Sequence, residues 1–155
     1  MNKWTKRYLN LAREISTWSK DPSTQIGAII IGNHGQIISQ GYNGFPRGII
    51  DSNKRLNDRE TKYKYMVHGE MNAIYNAGLN GVSLLDTTLY VYGLPVCSEC
   101  AKAVRQVGIN KVIMQHPGDI PEKWNTSYQL SYQIFKEGGI DAMRFDLNDN
   151  MIMEN

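Results

Sequence analysis

The sequence predicts an α/β fold, a three-layer α/β/α sandwich built on a mixed five-stranded sheet. Three observations carry that prediction. Two short apolar segments separated by Gly32-Asn33-His34-Gly35 read as a β-hairpin. Downstream, short apolar runs alternate with stretches of helical periodicity, the pattern of strands crossed by helices on both faces of a sheet. The chain has 155 residues, 41% apolar and 21% charged, which suits one globular domain over residues 1–155.

Each element follows from local chemistry. Trp4, Tyr8, Leu11, Ala12, Ile15 and Trp18 recur at helical spacing, so a first helix covers Trp4 to Ser19. It ends at Asp21-Pro22, because the residue before proline avoids the helical region. Gln25 to Ile31 is short, apolar and β-branched, and reads as a buried strand; Gln36 to Tyr42 is its hairpin partner. Asn43 to Val67 shows little periodicity and many charges, and connections of that length are often functional. A helix runs from Gly69 to Ala77 with Gly78 as its terminator. Thr87 to Tyr92 is a strand, Ser98 to Val107 a helix stopped by Gly108, and Lys111 to Met114 a buried strand. His116 to Pro121 is a turn-rich loop. Thr126 to Lys136 is helical up to Gly138-Gly139, and Ile140 to Phe145 is the fifth strand. The tail from Asn148 is polar and carries no assigned element.

Composition removes several classes of function. The net charge of +2 does not demand a nucleic-acid or membrane partner, and equally suits a small anionic ligand. Met1 to Lys20 has no apolar core of a signal peptide, and no apolar run is long enough to span a bilayer. A cytoplasmic location is expected. In that reducing compartment Cys97 and Cys100, three positions apart, point to metal or redox chemistry rather than to a structural disulfide.

The chemistry concentrates in two short motifs, His68-Gly69-Glu70 and Cys97-Ser98-Glu99-Cys100, each opening a helix. One imidazole and two thiolates make a three-ligand zinc set that leaves a fourth position for water, as catalytic sites do. A helix start favours the thiolate form through its free N–H groups and positive dipole end. Zinc would lower the pKa of its water to roughly 7 and make hydroxide available. Glu70, two residues beyond His68, would shuttle the protons. The plainer readings are a structural zinc site and a thioredoxin-like C-x-x-C. The first wants a fourth ligand close by, and the second normally follows the first strand of a βαβ unit. H-x-E roughly 30 residues before C-x-x-C, with a proline near the first cysteine, is instead the zinc-deaminase pattern. His34, in a hairpin turn, and His116, beside Pro117, read as surface residues. Met66, Met71 and Tyr75 read as core or subunit interface.

Beyond these motifs the sequence resembles the deoxycytidylate deaminase family. The matching segments are Lys20 to Ala28, Gly41-Tyr42-Asn43-Gly44-Phe45-Pro46, Asp58 to His68, His68 to Ile74 and Cys97 to Lys102. The resemblance implies a sheet of the cytidine-deaminase type and hydrolytic deamination of dCMP to dUMP and ammonia. It implies Zn²⁺ on His68, Cys97 and Cys100, and Glu70 as the catalytic acid–base. It implies a homohexamer and a substrate site with Asn43 on the sugar and Ser23 and Thr24 nearby. It also implies an effector site at Tyr42, Gly44, Phe45 and Pro46, where dCTP activates and dTTP inhibits. Arg47, Lys54 and Arg55 are the candidate cations for such a triphosphate, which would bring Mg²⁺ with it.

Three departures from the family pattern stand out. Gly69 replaces an alanine, a change read as sterically harmless. Val96 is inserted between Pro95 and Cys97. No aromatic residue lies between Gln115 and Pro121 to pack on the base, which leaves Trp124 or Tyr128 for that role.

From Arg47 to Lys64, six basic residues, among them Arg59 and Lys62, stand against three acids. The plain reading is a solvated loop and the functional one a phosphate clamp. The alternatives kept open are a deaminase of another cytosine nucleotide (dCTP included) or nucleoside, a deaminase of adenosine in tRNA, and a non-catalytic zinc or nucleotide-sensing module. The modest charge and the G-Y-N-G segment oppose RNA. An unliganded Glu70 has no use in a purely structural site.

Overall fold

The computed structural model describes residues 1–116 and 120–154. Among them, one sheet of six strands runs in the order β2-β1-β3-β4-β5-β6. The strands are β1 (Gly27–Ile31), β2 (Ile37–Tyr42), β3 (Thr88–Tyr92), β4 (Lys111–Gln115), β5 (Asp141–Phe145) and β6 (Met151–Glu154). β1 pairs antiparallel with both β2 and β3, while β3-β4 and β4-β5 are parallel. The helices are α1 (Lys3–Ser16), α2 (Asn53–Asn57), α3 (Arg59–Tyr65), α4 (Gly69–Leu79), α5 (Ser98–Gln106) and α6 (Glu122–Glu137).

The alternation of side chains explains the three layers. In β1, Ala28 and Ile30 join one core and Ile29 and Ile31 the other. β3 does the same with Leu89 and Val91 against Tyr90, and β4 with Val112 and Met114 against Ile113. The larger core is completed by α4 (Ala73, Ile74, Ala77), α5 (Cys100, Ala101, Val104) and Phe135 of α6. The smaller is completed by Leu9, Ala12 and Ile15 of α1. A strand buried on both faces must be apolar throughout, as β1 is.

Several elements differ from the sequence reading. The sheet has six strands, not five. The polar tail folds back as β6 on β5 because the Asp146 carboxylate accepts hydrogen bonds from the N–H groups of Asn148 and Asn150, with Asp149 left-handed at φ 66°. The long segment after β2 holds α2 and α3, capped by the side chains of Ser52 and Asp58, which accept from the N–H of Arg55 and of Thr61. α4 continues through Gly78; the left-handed residue is Gly81 at φ 67°, where Val82 N–H reaches back to Ala77. α1 stops at Ser16, its last residues tightening into three-residue turns. Trp4 and Trp18, expected on its apolar face, are exposed. α6 begins at Glu122, directly after Pro121. Most of the turn expected between His116 and Pro121 lies outside the described residues.

One close approach fixes α4. A Cβ on Gly41 of β2 would lie 2.3 Å from the backbone nitrogen of Ala73 and 2.5 Å from the carbonyl of Gly69. Glycine at that position lets α4 sit directly on the sheet. Ser39 pins the same contact, its hydroxyl donating to the Ala73 carbonyl at 2.6 Å.

Candidate active site

His68 and Cys97 are the residues immediately before α4 and α5, and Cys100 lies in the first turn of α5. The two helices start side by side at one end of the sheet, so motifs 29 residues apart in sequence converge. His68 Nδ1 lies 3.4 Å from Cys97 Sγ and 3.4 Å from Cys100 Sγ. All three donor atoms lie within 4.8 Å of one another. A tetrahedral zinc with Zn–N near 2.0–2.1 Å and Zn–S near 2.3 Å separates its nitrogen and sulfur ligands by roughly 3.5 Å, so the trio fits that ion.

The electrostatics of the metal-free cluster point the same way. The Cys97 thiol is pushed down to about 4, first by the hydrogen bond from Cys100, against burial, and then by the His68 imidazole. The Cys97 hydrogen bond holds His68 up at about 9, against burial. Cys100 is pushed up by Cys97 and by burial. One thiolate thus draws two protonated neighbours around it, and a divalent cation would take the place of their protons.

Val96, the inserted residue, is 1% exposed and belongs to the larger core. It anchors the connection from β3 and so sets where Cys97 begins α5. At the start of α5, Ser98 N–H donates to Ser127 Oγ of α6 at 3.1 Å.

Glu70, in the first turn of α4, is 4% exposed. Burial raises its carboxyl to about 7, with His68 pulling the other way. Together with His68 and Cys97 it lines a cavity of about 870 Å³, a size in the range of small-ligand sites. Asp21, Ser23, Thr24 and Asn43 form one wall, residues of α3 a second, and Trp124 and Tyr128 of α6 a third.

The predicted substrate residues do reach this cavity, and most of their polar atoms are bonded to one another. The Asn43 carboxamide accepts from Ile26 N–H at 2.8 Å and donates to the Thr24 carbonyl at 2.8 Å. Ser23 Oγ donates to Asp21 Oδ1 at 2.9 Å and accepts from Lys62 Nζ. Both candidate aromatics, Trp124 and Tyr128, line the wall.

The predicted effector residues do not form one cluster. Tyr42 stands edge-on to Trp18. Gly44 bridges Val67. Phe45 packs on Tyr65, over which the Arg55 guanidinium also lies at 5.2 Å. The Pro46 carbonyl accepts from Ile49 N–H. Lys54 is exposed on α2. Arg47 turns to the Asn76 side chain of α4 and lines a separate groove with Ile74, Tyr75 and Leu79.

Two further readings are corrected. His116 is 5% exposed, so it is not a surface residue, whereas His34 is exposed as expected. Lys62 is not a solvated cation: it is 6% exposed and paired with Asp21. Tyr63 and Lys123 also line the cavity. Tyr63 fell within the Asp58 to His68 resemblance but was given no role, and Lys123 carried no sequence signal, since an exposed Lys is unremarkable.

A site of one imidazole, two thiols and an adjacent buried carboxyl, at the end of a mixed sheet between two helix starts, is that of a metal-dependent hydrolase. The family described as the cytidine and deoxycytidylate deaminase zinc-binding region matches residues 2–116. An uncharacterized deaminase of Aliivibrio fischeri (luxG 3′ region) is 37% identical over 143 residues, covering 92% of this chain and 93% of its own. Human deoxycytidylate deaminase is 37% identical over 149 residues, covering 92% of this chain and 79% of its own. The crystal structure of dCMP deaminase from cyanophage S-TIM5 in complex with dCMP and dUMP superimposes with a TM-score of 0.72 at 21% identity, covering 94% and 99% of the two chains. The chain belongs to the zinc-binding cytidine and deoxycytidylate deaminase family and is a hydrolytic deaminase. Among the described residues no helix is long and apolar enough to cross a membrane.

Proposed function

We propose that the protein hydrolyses dCMP to dUMP and ammonia. The observation that carries this reading is a buried carboxyl, Glu70, beside the His68-Cys97-Cys100 trio at the end of a cavity large enough for a nucleotide. The curated relatives named for deoxycytidylate support the choice of base and sugar.

When bound, zinc supplies the Lewis acidity that makes hydroxide available at neutral pH. The chain's own residues do the rest. Glu70 takes one proton from the attacking water and delivers it to ring nitrogen N3, then takes the second from the hydroxyl on C4 and gives it to the C4 amine. A C4–O bond forms, the C4–N bond breaks, and ammonia leaves. Burial keeps the Glu70 carboxyl out of water, where a proton shuttle is most effective. Asn43, Ser23 and Thr24 shape the sugar wall, and Trp124 or Tyr128 packs on the base. A cytoplasmic location accords with two free thiols at ligand distance.

Regulation forms part of the same proposal and rests on the Gly41–Pro46 resemblance. dCTP, with Mg²⁺, would activate and dTTP inhibit at a site between subunits of a homohexamer. Tyr42, Gly44, Phe45 and Pro46 would form that site with Arg47, Lys54 and Arg55. An effector shifts activity only through unequal affinity for two states, typically about 5–150-fold.

The test is ammonia release over dCMP, dCTP, deoxycytidine, cytidine and CMP, with dCMP expected to be turned over best. Adding each triphosphate to dCMP titrations of wild type and Arg47→Ala tests regulation separately. Best turnover on a bare nucleoside would overturn the substrate. Hyperbolic curves unmoved by either effector would remove only the regulation.

A further inference from the structure

The charges lining the catalytic cavity fall into three groups. His68, Glu70 and Cys97 lie at the metal end. Asp21 and Lys62 follow, buried and paired with each other at 2.9 Å. Arg59 of α3 and Lys123 of α6 line the same cavity but are exposed, so they mark its mouth, one on each lip. Among the described residues neither is in an ion pair. Each instead rests over an aromatic ring: Arg59 Cζ lies 5.4 Å from the Tyr63 centroid and Lys123 Nζ 5.2 Å from that of Trp124. The two rings meet edge-on with centroids 6.2 Å apart. A ring pair thus joins the lips and holds one cation on each side of the opening.

We propose that Arg59 and Lys123 read the 5′-phosphate of the substrate from opposite lips of the cavity. A phosphate monoester near its dianionic state calls for two cations. A guanidinium offers paired donors to two phosphate oxygens and an ammonium a point charge to a third. A cation lying over a ring is held more weakly than by a charge-assisted hydrogen bond, so both groups can leave their rings for the phosphate. Among the described residues the carboxyls lining the cavity are Asp21, already neutralised by Lys62, and Glu70 at the metal end. Of the six basic residues between Arg47 and Lys64, only Arg59 and Lys62 reach this cavity, and Lys62 is occupied. The second cation comes from α6 instead. The proposal rests on the nucleotide reading above and assigns its specificity to two residues.

The test compares kcat/KM for dCMP with that for deoxycytidine in wild type, Arg59→Gln, Lys123→Gln and the double variant. Zinc content and Tm are checked throughout. Wild type is expected to favour dCMP by about 100-fold, each single variant to lose about tenfold of that preference, and the double to lose nearly all of it. A structural effect of either substitution would lower both substrates together and leave the ratio standing. A double variant that keeps the wild-type ratio overturns the proposal while the dCMP reading survives. If wild type does not prefer dCMP, that reading fails instead. Calorimetry with dUMP and deoxyuridine then decides the present proposal. A wild-type preference for dUMP that the double variant lacks sustains it, and any other result overturns it.

Discussion

Lys62 Nζ donates to Asp21 Oδ1 at 2.9 Å across 41 residues of chain, with both side chains less than a tenth exposed. Asp21 in turn accepts from the N–H groups of Ser23 and Thr24. Thr24 then receives the Asn43 carboxamide. One ion pair therefore ties α3 to the wall that carries the predicted sugar contacts. Removing one partner of a buried pair typically costs about 3–5 kcal/mol, because the other charge stays buried. Lys62→Met is expected to destabilise the protein by about that much in urea denaturation at pH 7. A loss below about 1 kcal/mol would mean that the pair is no stronger than a surface one.

The same pair has a pH signature. Burial raises the Asp21 carboxyl, but the Ser23, Lys62 and Thr24 hydrogen bonds outweigh it and hold it below its ordinary 3.8. A carboxyl depressed in the folded state stabilises the fold above its unfolded value. That contribution disappears as pH falls through the lower folded value. The stability gap between wild type and Lys62→Met should therefore be widest at neutral pH and narrow as pH falls, first as the unpartnered Asp21 of the variant takes up a proton and then as the wild-type carboxyl does. A gap that closed on raising the pH would contradict the assignment.

Cys100 is 0% exposed and its sulfur faces His68 Nδ1. The chain offers one complete ligand set among its described residues, so purified protein should carry about one zinc per chain. Cys100→Ala should lose the metal and the turnover together, as read by metal analysis and ammonia release. Full activity in protein stripped of zinc would refute the metal's role.

Glu70→Gln should keep zinc and fold yet lose about 10²–10⁴-fold in kcat, the usual contribution of a general acid–base group. Glutamine fills the same buried volume beside His68 without a transferable carboxyl proton. Because the residue moves protons in more than one step, the loss could exceed that range. More than about a tenth of the wild-type rate would assign proton transfer to another group.

The metal site was readable because its chemistry sits in two short motifs whose residue types have few other uses together. β1, β3 and β4 were readable because they are apolar and largely buried on both faces, β2 because a Gly-rich turn makes it the hairpin partner of β1, and β5 because it follows the Gly138-Gly139 helix stop. β6 was not, since its turn is built by the Asp146 carboxylate in a string that looks like a polar tail. The pairing of Lys62 was not readable because a buried lysine has no local signature and its partner lies 41 residues away. The basic stretch from Arg47 to Lys64 was read as a unit, yet folding disperses it. Arg47 goes to Asn76, Arg55 to Tyr65 and Lys62 to Asp21. Adjacency in sequence predicts a shared surface only within one element, and this stretch spans a loop and two helices.

Gly69 shows how packing can reverse a local rule. Read from sequence, glycine in place of alanine is sterically harmless here and costs only helix stability, less than about 1 kcal/mol at a first turn. In the structure a Cβ at this position would meet the Ile26 carbonyl at 3.1 Å and Ile26 Cγ2 at 3.2 Å. The carbonyl is backbone at the entry to β1, and it also accepts from Asn43 N–H at 3.2 Å. Ile26 N–H is held in turn by the Asn43 side chain. The contact can relax only by shifting Asn43 or the start of α4, which carries Glu70. Gly69→Ala is therefore expected to leave Tm unchanged or lowered by a few degrees, about 2–4 °C per kcal/mol in a chain of this size. KM for dCMP should rise more than kcat falls, because the shifted wall is the one next to the substrate. A Tm increase of more than about 2 °C would show that Ile26 yields freely and that glycine is not required for packing.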